Sequence, residues 1–371
     1  MATHRRFLLP SCLLAAGLIA APPLLASWPD PVDSPSQPQP RAQQSLMLDV
    51  AGLPGGRLVA VGERGHVLLS DDAGVTWRQV PAPVRSTLTA VAGNADAVVA
   101  AGHDGVILHS NDRGETWQRV REERWSVDNR MSPSNGTPLL DVLFLDARRV
   151  LAIGAYALML RSDDAGATWT PLEPDLTGSD ADAEAGEEGA SVDVQEDEGD
   201  ALLFDADDLM IDDEVDPHLN AVARVGDALL MVGERGSIFR SRDDGETWQR
   251  LQLPYGGSMF GVLPLSGQSA LVYGLRGRVF QSDDAGDSWR DIDTGVNANL
   301  FGGDVGSNGQ VVLVGAQGAV LRRDRGNGGF SASTYTNADG ETPIGDAVRL
   351  RDDGSLLLIG DRGITTWQEQ P

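Results

Sequence analysis

Seven short apolar runs recur along the chain, each breaking at a glycine turn and resuming as a second apolar run. They read VAVGERGHVLLS, VAAGHDGVILHS, LAIGAYALMLRS, LMVGERGSIFRS, LVYGLRGRVFQS, LVGAQGAVLRR and LLIGDRGITTW. Each run is too short for a helix and is apolar at nearly every position. That pattern predicts strands buried on both faces. The first five are each followed by a polar turn of the form S-x-D-x-G-x-[TS]-W: SDDAGVTW, SNDRGETW, SDDAGATW, SRDDGETW and SDDAGDSW. A short outer strand follows, as in TWRQV, and a further strand such as LMLDVA precedes the glycine run.

The lead glycines of the seven turns are Gly62, Gly102, Gly154, Gly233, Gly274, Gly315 and Gly360, spaced by 40, 52, 79, 41, 41 and 45 residues. A period near 40 with four short strands per repeat predicts an all-β fold, a seven-bladed β-propeller over residues 46–371. In the polar turn, serine and aspartate can bond local amides, glycine accepts a positive φ, and tryptophan packs into the blade. The residues so assigned are Asp72, Trp77, Asp112, Trp117, Asp164, Trp169, Asp243, Trp248, Asp284 and Trp289. The last repeat ends without an outer strand. Residues between Ser27 and Ser45 are expected to cross over and cover that blade.

These turns resemble the Asp-box propellers, and the combined glycine-turn and Asp-box pattern resembles the photosystem II stability and assembly factor family. PLLDVLFLD, AIGAYALML, HLNAVARV and YGLRGRVF are similar to that family's bacterial relatives, whose genes often lie beside exporters of the resistance-nodulation-division superfamily. The resemblance implies a scaffold that binds protein during assembly of a membrane complex. It also implies an arginine-rich patch on one propeller face.

Composition adds a location. Residues 1–27 carry Arg5 and Arg6 ahead of an apolar stretch with a small-residue site at Ala26–Ser27, the layout of an export signal, with an uncleaved anchor as the alternative. A periplasmic or other extracytoplasmic protein is therefore expected. Residues 28–45 read as a proline-rich extended tether. The net charge is -26, and all 29 basic residues are arginine. Eighteen acids fall within 175–216, leaving 37 acids against 29 arginines elsewhere. Residues 170–218 therefore read as a disordered acidic insert. Such a balance argues against nucleic acid as a partner. A protein partner and a monomeric chain are expected.

Chemistry is sparse. The carboxylates in FDADDLMIDDEVD lack a calcium-loop pattern, and the histidines lack zinc spacing, so neither metal nor cofactor is expected. Histidines 103 and 109 read as structural. The Asp-box raises the alternative of a glycan-binding or sialidase-like propeller. No Arg-Ile-Pro segment occurs, and two of the four tyrosines, Tyr156 and Tyr273, sit in or beside glycine turns, so no catalytic residue is assigned.

One constellation suggests binding. The third position of the seven glycine turns is Arg64, Asp104, Tyr156, Arg235, Arg276, Gln317 and Arg362. The four arginines should form an incomplete ring on one face, suited to carboxylate recognition. Local pairing with Glu63, Glu234 and Asp361 is the simpler alternative. The acidic insert should rise from the same face and could cover it electrostatically. Residues 125–138, a turn-rich excursion with one aromatic, read as a surface lid.

Overall fold

The computed structural model describes residues 29–127, 136–173, 175–176, 216–325 and 329–369. The export signal, the stretch 177–215 of the acidic insert and the centre of the 125–138 excursion lie outside them. Seven antiparallel sheets follow one another in chain order. Blade one comprises Met47–Gly52, Leu58–Gly62, Val67–Ser70 and Arg78–Val80, from inner to outer strand. Blades two to six repeat this plan, their inner strands at Leu88–Gly93, Leu139–Phe144, Leu219–Val225, Met259–Pro264 and Leu300–Val305. Blade seven has three strands, Gly345–Leu350, Leu356–Gly360 and Gly363–Trp367. The chain is a seven-bladed β-propeller.

The second strands are buried at every residue, as their unbroken apolar runs require. The core lies between blades rather than within them. Val59, Val61, Val67 and Leu69 of blade one pack on Leu88, Val98 and Leu108 of blade two. The ring closes where Leu357 and Ile359 of blade seven meet Met47, Ala60 and Leu68. Each lead glycine lets the second strand touch the chain entering its own inner strand. A Cβ at Gly62 would lie 2.2 Å from the Leu46 carbonyl oxygen.

Every inner strand carries a register irregularity at its second residue, as between Met47 and Asp49. Its inner edge has no neighbouring strand in its own sheet, and side chains from adjacent blades bond to it. Asp49 accepts from Val50 N–H at 2.7 Å and from Val91 N–H of blade two at 2.8 Å. Asp141 makes the same pair of bonds to Val142 and to Val222 of blade four. Asp304 accepts from Leu350 N–H of blade seven at 2.7 Å.

The proline-rich segment corrects the expectation of an extended tether. It is docked, and mainly on blades one and two rather than seven. Val32 is 1% exposed among Val80, Val84, Leu88 and Leu108. Ser36 N–H donates to the Ala82 carbonyl at 2.9 Å, and Ser36 Oγ accepts from Ala82 N–H at 2.8 Å. Asp33 takes two bonds from Arg124, at 2.6 and 2.7 Å. Only Ala42–Gln44 reach blade seven, where the Gln43 carbonyl abuts Gly363. No described strand pairs with the outer edge of Gly363–Trp367.

Candidate partner-binding face

The glycine turns and the links between blades share one face, as the sequence predicted. A Cβ at Gly65 would meet the Val84 carbonyl, at Gly236 that of Tyr255, at Gly277 that of Val296 and at Gly318 that of Tyr335. These carbonyls belong to the link leaving the same blade. At Gly363 the Gln43 carbonyl takes this place, so the residues before blade one substitute for the missing final link. The insert read as 170–218 is shorter at its start, since Thr170–Leu172 form the outer strand of blade three, and near its end Pro217 accepts from Ala157 N–H at 2.9 Å beside the blade-three turn. One end of the insert is therefore anchored on this face.

The turns hold their third residue in the left-handed region. Arg64, Asp104, Tyr156, Arg235, Arg276 and Gln317 have φ between 53° and 59°. That conformation disfavours a side chain with a Cβ, yet four different residue types occupy it. Arg362 differs because its turn is tighter, closed by Gly360 opposite Gly363, and Gly363 takes the positive φ. All four arginines are exposed. Arg64 lies 3.8 Å from Glu63, and Arg362 pairs at 2.8 Å with Glu341 rather than with Asp361. Asp361 instead accepts from Ile344 N–H. Arg276 N–H donates to Asn299 Oδ1 at 3.0 Å. Local carboxylates thus engage the Arg64 and Arg362 guanidiniums.

The interruptions have their own partners. Asp104 accepts from Ser86 Oγ at 2.6 Å, and Tyr156 meets His218 edge-on at 4.8 Å between ring centroids.

Sequence reasoning placed Tyr156 in this series and singled out the excursion that begins at Trp125, but did not bring them together with Val127 and Ile344 as an apolar part of this face. Among the described residues the exposed large hydrophobic side chains are Val75, Trp125, Val127, Tyr156 and Ile344. All but Val75 lie on the turns and links of the arginine face. Trp125 and Val127 begin the excursion read as a lid, and Trp125 backs onto Gly136 where the described chain resumes. Ile344 borders a cleft of about 500 Å³ between blades six and seven, lined also by Tyr335, Glu341, Pro343 and Arg362. Isolated apolar residues in irregular links carry no period, so no pattern announced them.

The opposite face carries the five aspartate turns, and their geometry repeats closely. In blade two, Ser110 Oγ donates to Asp112 at 2.8 Å and accepts from Gly114 N–H at 2.9 Å. Asp112 also accepts from Thr116 N–H and Oγ1, at 2.9 and 2.6 Å. Asp72, Asp164, Asp243 and Asp284 make the same set. These bonds hold the Asp72 carboxyl down at about 2, the Thr76 hydroxyl being the largest cause. Both oxygens are committed to the turn, which suits a structural role and not acid–base chemistry. Indole N–H groups of Trp77, Trp117, Trp169 and Trp248 donate to the turn glycine, whereas Trp289 Nε1 has no partner.

A third set of polar groups lies along the ring axis. Burial pushes Asp49 up to about 6 and Asp141 to about 7, the amide bonds only partly opposing it. Asp346 is raised to about 7 by burial and by the charge of Asp361. Tyr273 is 5% exposed and reaches the axis over Gly261, where a Cβ would overlap its ring. Asp49 and Asp141 serve strand edges, and burial together with the charges of Asp141, Asp49 and Asp304 pushes the Tyr273 hydroxyl up. Among the described residues no three acidic, histidine or cysteine side chains are placed to hold a metal ion.

No family model matches the chain, and no curated protein matches it. Solved structures do. The structure titled "YCF48 bound to D1 peptide" has a TM-score of 0.60 at 14% identity, covering 87% of this chain and 91% of that one. YCF48 from Cyanidioschyzon merolae has a TM-score of 0.61 at 15% identity, covering 89% and 96%. The WD40 propeller domain of Doa1 has 0.59 at 12%, covering 91% and 96%. At these identities the likeness is one of fold.

Proposed function

We propose that this chain is a non-enzymatic propeller that binds a protein partner through its arginine-turn face. The carrying observation is the composition of that face. Arg64, Arg235, Arg276 and Arg362 share it with Trp125, Val127, Tyr156 and Ile344, while among the described residues the opposite face offers Val75 alone of the exposed large apolar groups. Tryptophan, tyrosine and arginine are the residues that dominate binding energy at protein interfaces. The guanidiniums favour a partner with carboxylates. A solved propeller of similar fold is titled as bound to a peptide, which supports a peptide segment as the element recognised.

The finer reading rests on the sequence. The Arg5–Ser27 layout supports export, and the resemblance to the assembly-factor family's bacterial branch supports action on a membrane complex such as an exporter. The committed aspartate turns support a binding role over glycoside hydrolysis. Membrane fractionation of the exported protein tests this. Replacing all four arginines by alanine should move most of the chain from the membrane to the soluble fraction while its melting temperature stays within a few degrees. Unchanged membrane association of the folded variant would contradict the reading.

A further inference from the structure

Six blades end in an outer strand and, among the described residues, blade seven does not. Its last strand, Gly363–Trp367, reads GITTW, without charge or proline. Five of the six resident outer strands carry such guards against edge pairing, in RQV, QRVR, TPL, QR and RDI, and only SAST of blade six shares the lack of them. Because Gly360 opposite Gly363 closes the turn, the antiparallel ladder directs the N–H and C=O of Ile364 and Thr366 outward. Neither residue makes a backbone bond on that side among the described residues. Ala42–Gln44 cover only the Gly363 end.

We propose that this edge is a second docking surface, independent of the arginine face, which takes an extended segment of a partner protein as the fourth strand of blade seven. The other blades specify its chemistry. Ile364 pairs with Ile359 as Val67, Met159 and Val279 pair with Val61, Ile153 and Tyr273. Opposite those three stand the outer-strand residues Val80, Leu172 and Ile292. Two residues earlier stand Arg78, Thr170 and Arg290. Blades two and six instead set Arg121 and Ser333 opposite the equivalent Ile107 and Val320. On the pattern of blades one, three and five, the incoming segment carries a polar or cationic residue opposite Thr366 and an aliphatic one opposite Ile364.

A second copy fits this edge poorly. Two convex rims joined through one five-residue strand bury far less than the roughly 1,200 Å² of a stable interface. Among the described residues ahead of blade one, Pro31 accepts from Arg85 N–H at 2.7 Å, which holds that part of the chain at the junction of blades one and two, away from this edge.

The test uses the full chain and a synthetic peptide of residues 288–294, SWRDIDT, which copies the outer strand of blade five. Hydrogen exchange at Ile364 and Thr366 should slow at least tenfold with saturating peptide. Thr366→Pro removes an outward amide and leaves the ladder to Leu356–Gly360 intact, so it should weaken peptide binding at least tenfold. Three results would overturn the proposal. The first is unchanged exchange at both amides. The second is protection without peptide, which would mean the chain covers its own edge. The third is dimerisation in sedimentation that Thr366→Pro abolishes, which would assign the edge to a second copy. The wild-type footprint decides the matter even where the proline variant fails to fold.

Discussion

Ser110 shows how much a single hydroxyl organises. It is 2% exposed, and its one oxygen both donates to Asp112 and accepts from the buried Gly114 amide. Ser110→Ala leaves that amide without an acceptor, and urea unfolding should show a loss of about 1–3 kcal/mol. Asp346 works in the opposite sense. Unfolded, its carboxyl titrates near 3.8; folded, burial and Asp361 raise it to about 7. Between those values the folded state holds a proton the unfolded state lacks. Its contribution to stability is therefore fully present below about pH 4 and is lost as pH rises through 7. Asp346→Asn should match the wild type near pH 4 and exceed it at pH 8 by on the order of 1–2 kcal/mol. Unfolding of both chains across that range checks the sign, since other titrating groups are common to the pair.

At the scale of elements, blades were legible and the segment before them was not. Alternation of apolar runs with glycine turns fixes each strand because the second strands are buried on both faces. The docked residues 30–39 have no such period. They bind through one apolar side chain, Val32, and through backbone and short polar groups such as Ser36 and Asp33. A single buried valine in a proline-rich run cannot be told from a tether by pattern. Deleting residues 28–44 should still lower the melting temperature by several degrees, but by uncovering blades one and two. Val32→Ala alone should cost roughly 2 kcal/mol by chemical denaturation. The three described strands of the last blade were legible from the apolar runs on either side of Gly360.

For the whole molecule, the placement of the arginine turns on one face followed from topology, because equivalent turns in successive blades repeat about the axis. Val127 and Ile344, which add to that face's apolar area, were invisible in irregular links. So were the axial carboxylates Asp49, Asp141 and Asp304, whose spacing in sequence does not disclose the strand edges they serve. One face, and not the other, is proposed to meet the protein partner. Photocross-linking in cells tests it directly. A photoreactive amino acid is placed at residue 64, 156 or 276 on the arginine face, or at residue 76, 168 or 288 among the aspartate turns. The account predicts partner adducts from the first three positions alone, recovered with the membrane. Adducts confined to the second three, or equal from both faces, would contradict it.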